Sequence, residues 1–206
     1  MNDFPRIQPC RTALLAIDMQ NAFMLPGQVF GNPHACAIVS NVNRLASALR
    51  AAGGQVIWTR QTVSKIPPFA LPAWQLDLEN PTVQTAVAAL SEGDPGHDLH
   101  QDLAIDAADA VLNKYRYSAF IQRSGIEDLL QARGIDTLIV AGTLTNVCCE
   151  SSARDAYMLG YRILFASDAT AAVTDLEHNA ALLNLALNFA DVRTTKELAA
   201  LIAVNS

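Results

Sequence analysis

Residues 137–150 read TLIVAGTLTNVCCE, and here an apolar run passes directly into the start of a helical pattern. Residues 137–141 are short, apolar and rich in β-branched side chains, which is typical of a strand buried in a parallel sheet. From 150 to 159, small and apolar residues recur at helical spacing. Cys148 therefore falls in the first turn of a predicted helix, where free backbone N–H groups and the helix dipole stabilise a thiolate. The sequence predicts a nucleophilic thiol at this junction.

The composition limits the classes of protein to which the chain can belong. Its 206 residues are 51% hydrophobic and 17% charged, which suits one well-buried α/β domain over residues 1–206. The net charge of −6 disfavours nucleic acid and anionic membranes as partners, because an acidic surface is repelled by both. No apolar run approaches the ~20 residues that span a bilayer. The apolar content also predicts a homo-oligomer, either a dimer or a tetramer.

The cysteines and the first residues bear on the cellular compartment. Cys10, Cys36, Cys148 and Cys149 form neither a disulfide framework nor a C-x-x-C pair, so we expect free thiols and a reducing cytoplasm. Residues 1–11 contain charged residues and prolines without an apolar run, so no secretory signal is predicted.

Strand-like and helix-like segments alternate along the chain. This alternation predicts a doubly wound α/β fold, in which a mostly parallel six-stranded sheet carries helices on both faces as a Rossmann-like three-layer sandwich. The proline-rich residues 61–81 are expected to run irregularly over the functional face. Ser124 is the predicted N-cap of its helix, and Gly134 the predicted stop. The predicted strands are 12–17, 55–59, 109–113, 137–141, 161–166 and 191–194, and the predicted helices are 33–52, 124–133, 150–159, 175–189 and 196–204.

Three chemically active residues follow the ends of separate predicted strands. Asp18, Lys114 and Cys148 should meet at one edge of the sheet, because ligands of such sheets bind beyond the carboxyl ends of the strands. A lysine directly after a buried strand needs a carboxylate partner, which Asp18 can supply. Lys114 would favour the thiolate of Cys148, while Asp18 would move protons to and from the reacting groups. Backbone N–H groups of the 144–148 turn would stabilise the oxyanion formed by attack on a carbonyl.

The segments around these residues resemble the isochorismatase-like cysteine hydrolases. Asp18 lies in LLAIDMQNAF, Lys114 in NKYRYSAF and Cys148 in GTLTNVCCESSARDA. The similarity extends over 12–194 and is strongest to the group containing ureidoacrylate amidohydrolase, biuret hydrolase and N-carbamoylsarcosine amidohydrolase. This resemblance implies that a small linear amide or ureide is hydrolysed at its C–N bond, through a thioester on Cys148.

The resemblance also carries expectations about the backbone and about metals. It implies a non-proline cis peptide at Thr143–Leu144, which would turn the N–H of Leu144 towards the oxyanion beside the N–H of Cys148. Nicotinamidases of the family bind a metal through an Asp-x-His pair after the second strand, whereas this chain has no histidine between positions 35 and 96. No metal or other cofactor is therefore expected. Isochorismatases that cleave a vinyl ether lack the cysteine, so Cys148 favours amide chemistry.

Five residues are candidate substrate contacts, and three of them have a structural alternative. Phe23 and Trp74 are candidate pocket walls, although aromatic residues are more often part of a core. Arg60 would bind a substrate carboxylate or carbonyl, or else pair with an acidic loop. Tyr117 could supply a hydroxyl donor. Asn188 lies where the similar biuret hydrolases carry a glutamine that holds the ureide.

Two alternatives to a ureide hydrolase stay open. The first is a maleamate- or nicotinamide-type amidase of the same family. The second is a non-catalytic scaffold that kept the fold, which the presence of Asp18, Lys114 and Cys148 together disfavours. Cys149 lies about 100° round the helix from Cys148 and is expected to be packed in the core.

Overall fold

The computed structural model describes residues 3–28, 30–122 and 124–204. Six strands form one sheet, namely β1 (Thr12–Ile17), β2 (Gln55–Gln61), β3 (Ala110–Lys114), β4 (Thr137–Thr143), β5 (Arg162–Ala171) and β6 (Asp191–Arg193). Their order is β3-β2-β1-β4-β5-β6, and all five pairings are parallel. The order reverses between β1 and β4, which is where sheets of this kind open a crevice for ligands. The predicted fold class is confirmed.

The α-helices cover both faces of the sheet. They are α1 (Asn21–Met24), α2 (Val39–Ala51), α3 (Pro81–Ala89), α4 (Ile126–Ala132), α5 (Glu150–Met158), α6 (Asp175–Asn188) and α7 (Thr195–Val204). Successive strand residues point to opposite faces, so Leu14 packs with Leu45 of α2 in a core that includes α7, whereas Leu15 packs with Leu130 of α4 in a core that includes α5 and α6. Two apolar cores thus hold the sheet between two helical layers.

Several predicted boundaries needed correction. Helix α2 begins at Val39 instead of position 33, because Ala35–Ile38 form a 3-10 turn before it. Gly125 with φ 82°, and not Ser124, occupies the N-cap of α4. Strand β5 continues to Ala171, past the predicted end at 166, because it shifts register and pairs with the end of β4. The sequence analysis missed α3, although Asn80 followed by proline is an N-cap signal.

The ends of β1 and β4 approach closely next to the predicted site. Gly142 has φ 113°, and a Cβ there would lie 2.1 Å from the carbonyl oxygen of Ile17. Only glycine fits this approach. Asp18 follows Ile17 directly, so Gly142 fixes how near β4 comes to the aspartate.

The structure also bears on the cysteines and on membrane crossing. All four cysteines are free, as predicted; Cys10 and Cys36 are exposed, and Cys148 and Cys149 are buried. Among the residues that the structure describes, none of the helices combines the length and apolar character needed to cross a bilayer.

Candidate active site

A buried ion pair lies where the sequence predicts the site. Lys114 is the last residue of β3, and its Nζ lies 2.7 Å from Oδ2 of Asp18, with both side chains fully buried. The same Nζ donates to Oε1 of Gln61 at 2.6 Å and to the carbonyl of Arg116 at 3.0 Å. Two hydrogen bonds and one ion pair thus surround the ammonium, and Oδ2 of Asp18 itself accepts no hydrogen bond from a described residue. Burial disfavours the charged form, yet the carboxylate of Asp18 outweighs burial and raises the pKa of Lys114, so the ammonium persists.

Asp18 is held from a second side by β2. Its backbone N–H donates to the carbonyl of Thr59 at 3.1 Å, and its Oδ1 accepts from the Thr59 hydroxyl at 2.9 Å. Its φ of 52° lies in the left-handed region, which aspartate tolerates better than most residues. One carboxylate oxygen thus faces Thr59 and the other faces Lys114.

Cys148 lies in a π-helical turn, Thr145–Cys149, that continues into α5. The carbonyl of Leu144 accepts hydrogen bonds from the N–H groups of Val147 and Cys149 but not from the N–H of Cys148. The carbonyl of Cys148 accepts from the Ser152 hydroxyl at 2.7 Å. Local π-helical turns are frequent at functional sites, because they re-aim one side chain of a helix.

A hydrogen bond from α6 also holds the beginning of this turn. The Thr145 hydroxyl and Nδ1 of His178 share a hydrogen bond of 2.9 Å. Burial lowers the pKa of His178, which favours the neutral imidazole at this position. This contact gives His178 a structural role.

Asp18 and Lys114 both lie close enough to the thiol of Cys148 to shift its pKa. Burial raises the pKa of the thiol to about 12; Lys114 opposes this rise and Asp18 adds to it. Lys114 thus acts in the direction expected from the sequence, but the loss of hydration outweighs it. At neutral pH the thiol therefore keeps its proton.

Cys148 is 5% exposed and reaches a cavity of about 410 Å³. Phe23 and Tyr117, two of the predicted substrate contacts, line this cavity, as does Leu144. The Thr143–Leu144 peptide is cis, as the family resemblance implied. The remaining lining residues are Phe30, Gln61, Val63, Leu71, Gln75, Leu76, Thr82, Val83, Ala86, Val87, Leu90 and Val147.

Three predicted substrate contacts do not line the cavity. Trp74 is 82% exposed and borders an adjoining cleft. Arg60 points away because strand residues alternate, so that Gln61 faces the site while Nε of Arg60 donates to Asn113. Asn188 is exposed at the end of α6 and donates to the carbonyl of Asn184. Trp74, Arg60 and Asn188 therefore lie outside the cavity wall, contrary to the prediction.

The sequence analysis missed the residues that form most of the cavity. Gln61 ends β2 at the same edge as Asp18, so its position after a buried strand was a usable signal. No sequence signal showed that α3 lines the cavity, since its apolar residues look like those of any helix that faces a core. Cys149, by contrast, is fully buried within a core, as expected.

No metal centre is evident in the part of the chain that the structure describes. Residues 3–28, 30–122 and 124–204 contain no group of three or more His, Cys, Asp or Glu side chains arranged to hold an ion. The expected independence from metals stays a prediction to be tested with chelators.

Fold and comparisons together define a doubly wound α/β enzyme of the hydrolase class. Residues 12–197 match the isochorismatase domain. A crystal structure of a cysteine hydrolase from Pseudomonas syringae pv. phaseolicola 1448A superposes with a TM-score of 0.88 at 31% identity, covering 99% of this chain and 97% of that one. The chain therefore belongs to the isochorismatase family.

Two relatives are similar in sequence over most of the chain. Ureidoacrylate amidohydrolase RutB from Serratia proteamaculans (strain 568) is 35% identical over 176 residues, which covers 79% of this chain and 70% of that protein. Nicotinamidase 3 from Arabidopsis thaliana is 33% identical over 181 residues, which covers 86% and 82%.

Proposed function

We propose that this protein is a cysteine-dependent amidohydrolase that cleaves the C–N bond of a small linear amide or ureide and releases ammonia or an amine. One observation carries the proposal. A thiol that lines a cavity lies near enough to a buried carboxylate and a buried ammonium for both to shift its pKa, and those two groups are themselves 2.7 Å apart. The amidohydrolase names of the relatives support the same reaction.

The first half of the reaction forms a thioester. Sγ of Cys148 attacks the carbonyl carbon while its proton passes to the carboxylate of Asp18. Because the raised thiol pKa leaves little free thiolate, this transfer accompanies the attack. Backbone N–H groups of Leu144 and Cys148 stabilise the oxyanion. Asp18 then gives the proton to the departing nitrogen, the C–N bond breaks, and the acyl group stays on sulfur.

The second half returns the enzyme to its starting state. Water adds to the thioester carbonyl and gives a proton to Asp18. The tetrahedral intermediate collapses, the C–S bond breaks, and the sulfur regains its proton from Asp18. Lys114 keeps its charge throughout and stabilises the carboxylate form of Asp18 between proton transfers.

The test compares two neighbouring cysteines. Cys148→Ala and Cys148→Ser should abolish ammonia release, whereas Cys149→Ala should retain it, because Cys149 is buried in a core and does not line the cavity. Acid quenching during turnover, followed by intact mass measurement, should find the acyl group on wild-type enzyme and not on Cys148→Ala. Retained turnover in Cys148→Ala would remove the thiol from the mechanism.

A substrate panel separates the alternatives. Ureidoacrylate, biuret, an N-carbamoyl amino acid, maleamate and nicotinamide differ in charge and shape but all release ammonia. Preference for nicotinamide would favour the function named for the Arabidopsis relative. If no amide releases ammonia, the scaffold interpretation is favoured.

We also propose a homo-oligomer that works in a reducing cytoplasm. Leu176, Leu183 and Leu187 of α6 are between 58% and 81% exposed, and a subunit contact would cover such an apolar face. The four free cysteines support the reducing compartment. Light scattering coupled to size exclusion tests the assembly, and a monomer would contradict it.

A further inference from the structure

We infer that the preferred substrate is an uncharged amide with an apolar acyl group, and not an anionic ureide such as the one named for the ureidoacrylate relatives. The inference rests on the proposed function and narrows it. It is argued from the side chains that surround the Cys148 thiol, because neither the fold nor membership of the family determines which residues these are.

The cavity wall is almost entirely apolar. None of the sixteen lining residues among the described part of the chain carries a charge. Val83, Ala86 and Val87 of α3 form one side, and Phe23 and Leu90 belong to the small apolar cluster beside it. The polar groups present are neutral, belonging to Gln61, Gln75, Thr82, Tyr117 and the thiol itself.

Among the described residues, the cations near the cavity already have partners. Lys114 is fully buried and is engaged by one ion pair and two hydrogen bonds, so it cannot extend to a substrate carboxylate. The guanidinium of Arg116 donates to the carbonyls of Phe69, Ala70 and Tyr115; it borders the adjoining cleft and is not among the residues that line the cavity. Arg60 does not line the cavity. A carboxylate bound beside Cys148 would lose its hydration without gaining a counter-ion, which is strongly unfavourable.

Gln61 is suited to a neutral amide. An ammonium can only donate, so the carboxamide oxygen of Gln61 must face Lys114, and Nε2 is left as a donor at the cavity wall. This Nε2 makes no hydrogen bond to another described residue. It can therefore donate to the carbonyl oxygen of the substrate without any charge on either partner.

The cavity volume limits the size of the apolar acyl group of the substrate. About 410 Å³ lies near the lower end of the ~300–1,000 Å³ range of small-molecule pockets, which suits a short acyl chain or a single ring. Each methylene moved from water into such a wall should raise kcat/KM about fourfold, until the cavity is full.

The experiment compares amides that differ in one feature. Ammonia release from acetamide, butanamide and hexanamide should rise about fourfold per methylene. Adipamate has the length of hexanamide but ends in a carboxylate, and its kcat/KM should be lower by a factor on the order of 100. A flat series, or equal or faster turnover of adipamate or ureidoacrylate, would overturn the inference and leave the Cys148 mechanism standing. No turnover of any amide would instead overturn the proposed function.

A matched pair of variants locates the effect in the cavity. Val83→Arg places a cation on the lining and should reduce the preference for hexanamide over adipamate by at least about tenfold. Thr85→Arg adds the same charge to the exposed part of α3 outside the lining, and should leave the ratio unchanged. Equal ratios in the two variants would contradict the inference. If Val83→Arg does not fold, the wild-type ratio decides the question.

Discussion

Replacing Lys114 by methionine should destabilise the protein severely, because it removes one partner of a fully buried ion pair. The carboxylate of Asp18 would then keep the single hydrogen bond from the Thr59 hydroxyl and lose the ammonium at 2.7 Å, while Oε1 of Gln61 would lose a donor at 2.6 Å. Breaking a buried pair in this way costs about 3–5 kcal/mol of unfolding free energy. For a chain of this length that corresponds to a fall in Tm of roughly 6–20 °C.

The measurement is urea denaturation at pH 7.5, with three variants beside the wild type. The folded-state pKa of Lys114 is raised, so its contribution is fully present below the ordinary lysine value of 10.5 and is lost only as the pH rises through the higher folded value. Lys65→Met makes the same change at an exposed site and should stay within about 0.5 kcal/mol of wild type.

A double variant separates lost charge pairing from lost packing. Asp18→Asn combined with Lys114→Met removes both charges, so it should recover much of the stability that Lys114→Met alone loses. The reasoning fails if Lys114→Met is as stable as Lys65→Met, or if the double variant is no more stable than Lys114→Met.

Three further predictions follow from the same site. In a background without Cys10 and Cys36, alkylation of Cys148 should be slow at pH 7 and should accelerate as the pH rises towards about 12, because burial raises the thiol pKa; fast labelling at pH 6 would contradict this. Thr59→Val should cost about 1–3 kcal/mol in urea denaturation and lower kcat, because a buried oxygen of Asp18 loses its donor; an unchanged midpoint and kcat would contradict that role. Dialysis against EDTA should leave ammonia release unchanged, and a loss restored by Zn²⁺ would revive a metal-dependent mechanism.

The sheet was predictable because its strands are short apolar runs that end in polar or turn residues. Residues 12–17 were predicted with both boundaries correct, whereas β5 extends beyond its prediction. That extension depends on pairing with the end of β4 after a shift in register, which no local pattern encodes. Periodicity therefore identified the strands, and long-range pairing set where they end.

The site was predictable where residues follow strand ends and unpredictable where burial matters. The convergence of Asp18, Lys114 and Cys148 was predictable from their positions, since strand ends in a parallel sheet meet at one edge. The direction of the Cys148 pKa shift could not be predicted, because it depends on how completely other segments exclude water from the thiol. Arg60 was predicted at the site in place of Gln61, because neighbouring residues of a strand point to opposite faces of the sheet.

The sheet and the segment that joins β2 to β3 contribute different parts of the candidate site. The acid, the amine and the sulfur belong to the sheet edge, whereas nine of the sixteen cavity residues lie between positions 63 and 90. Substitutions in that segment can change the cavity wall while Asp18, Lys114 and Cys148 stay unchanged. Libraries that vary only 63–90 are thus a direct route to altered substrate preference, and relatives that share Asp18, Lys114 and Cys148 need not share a substrate.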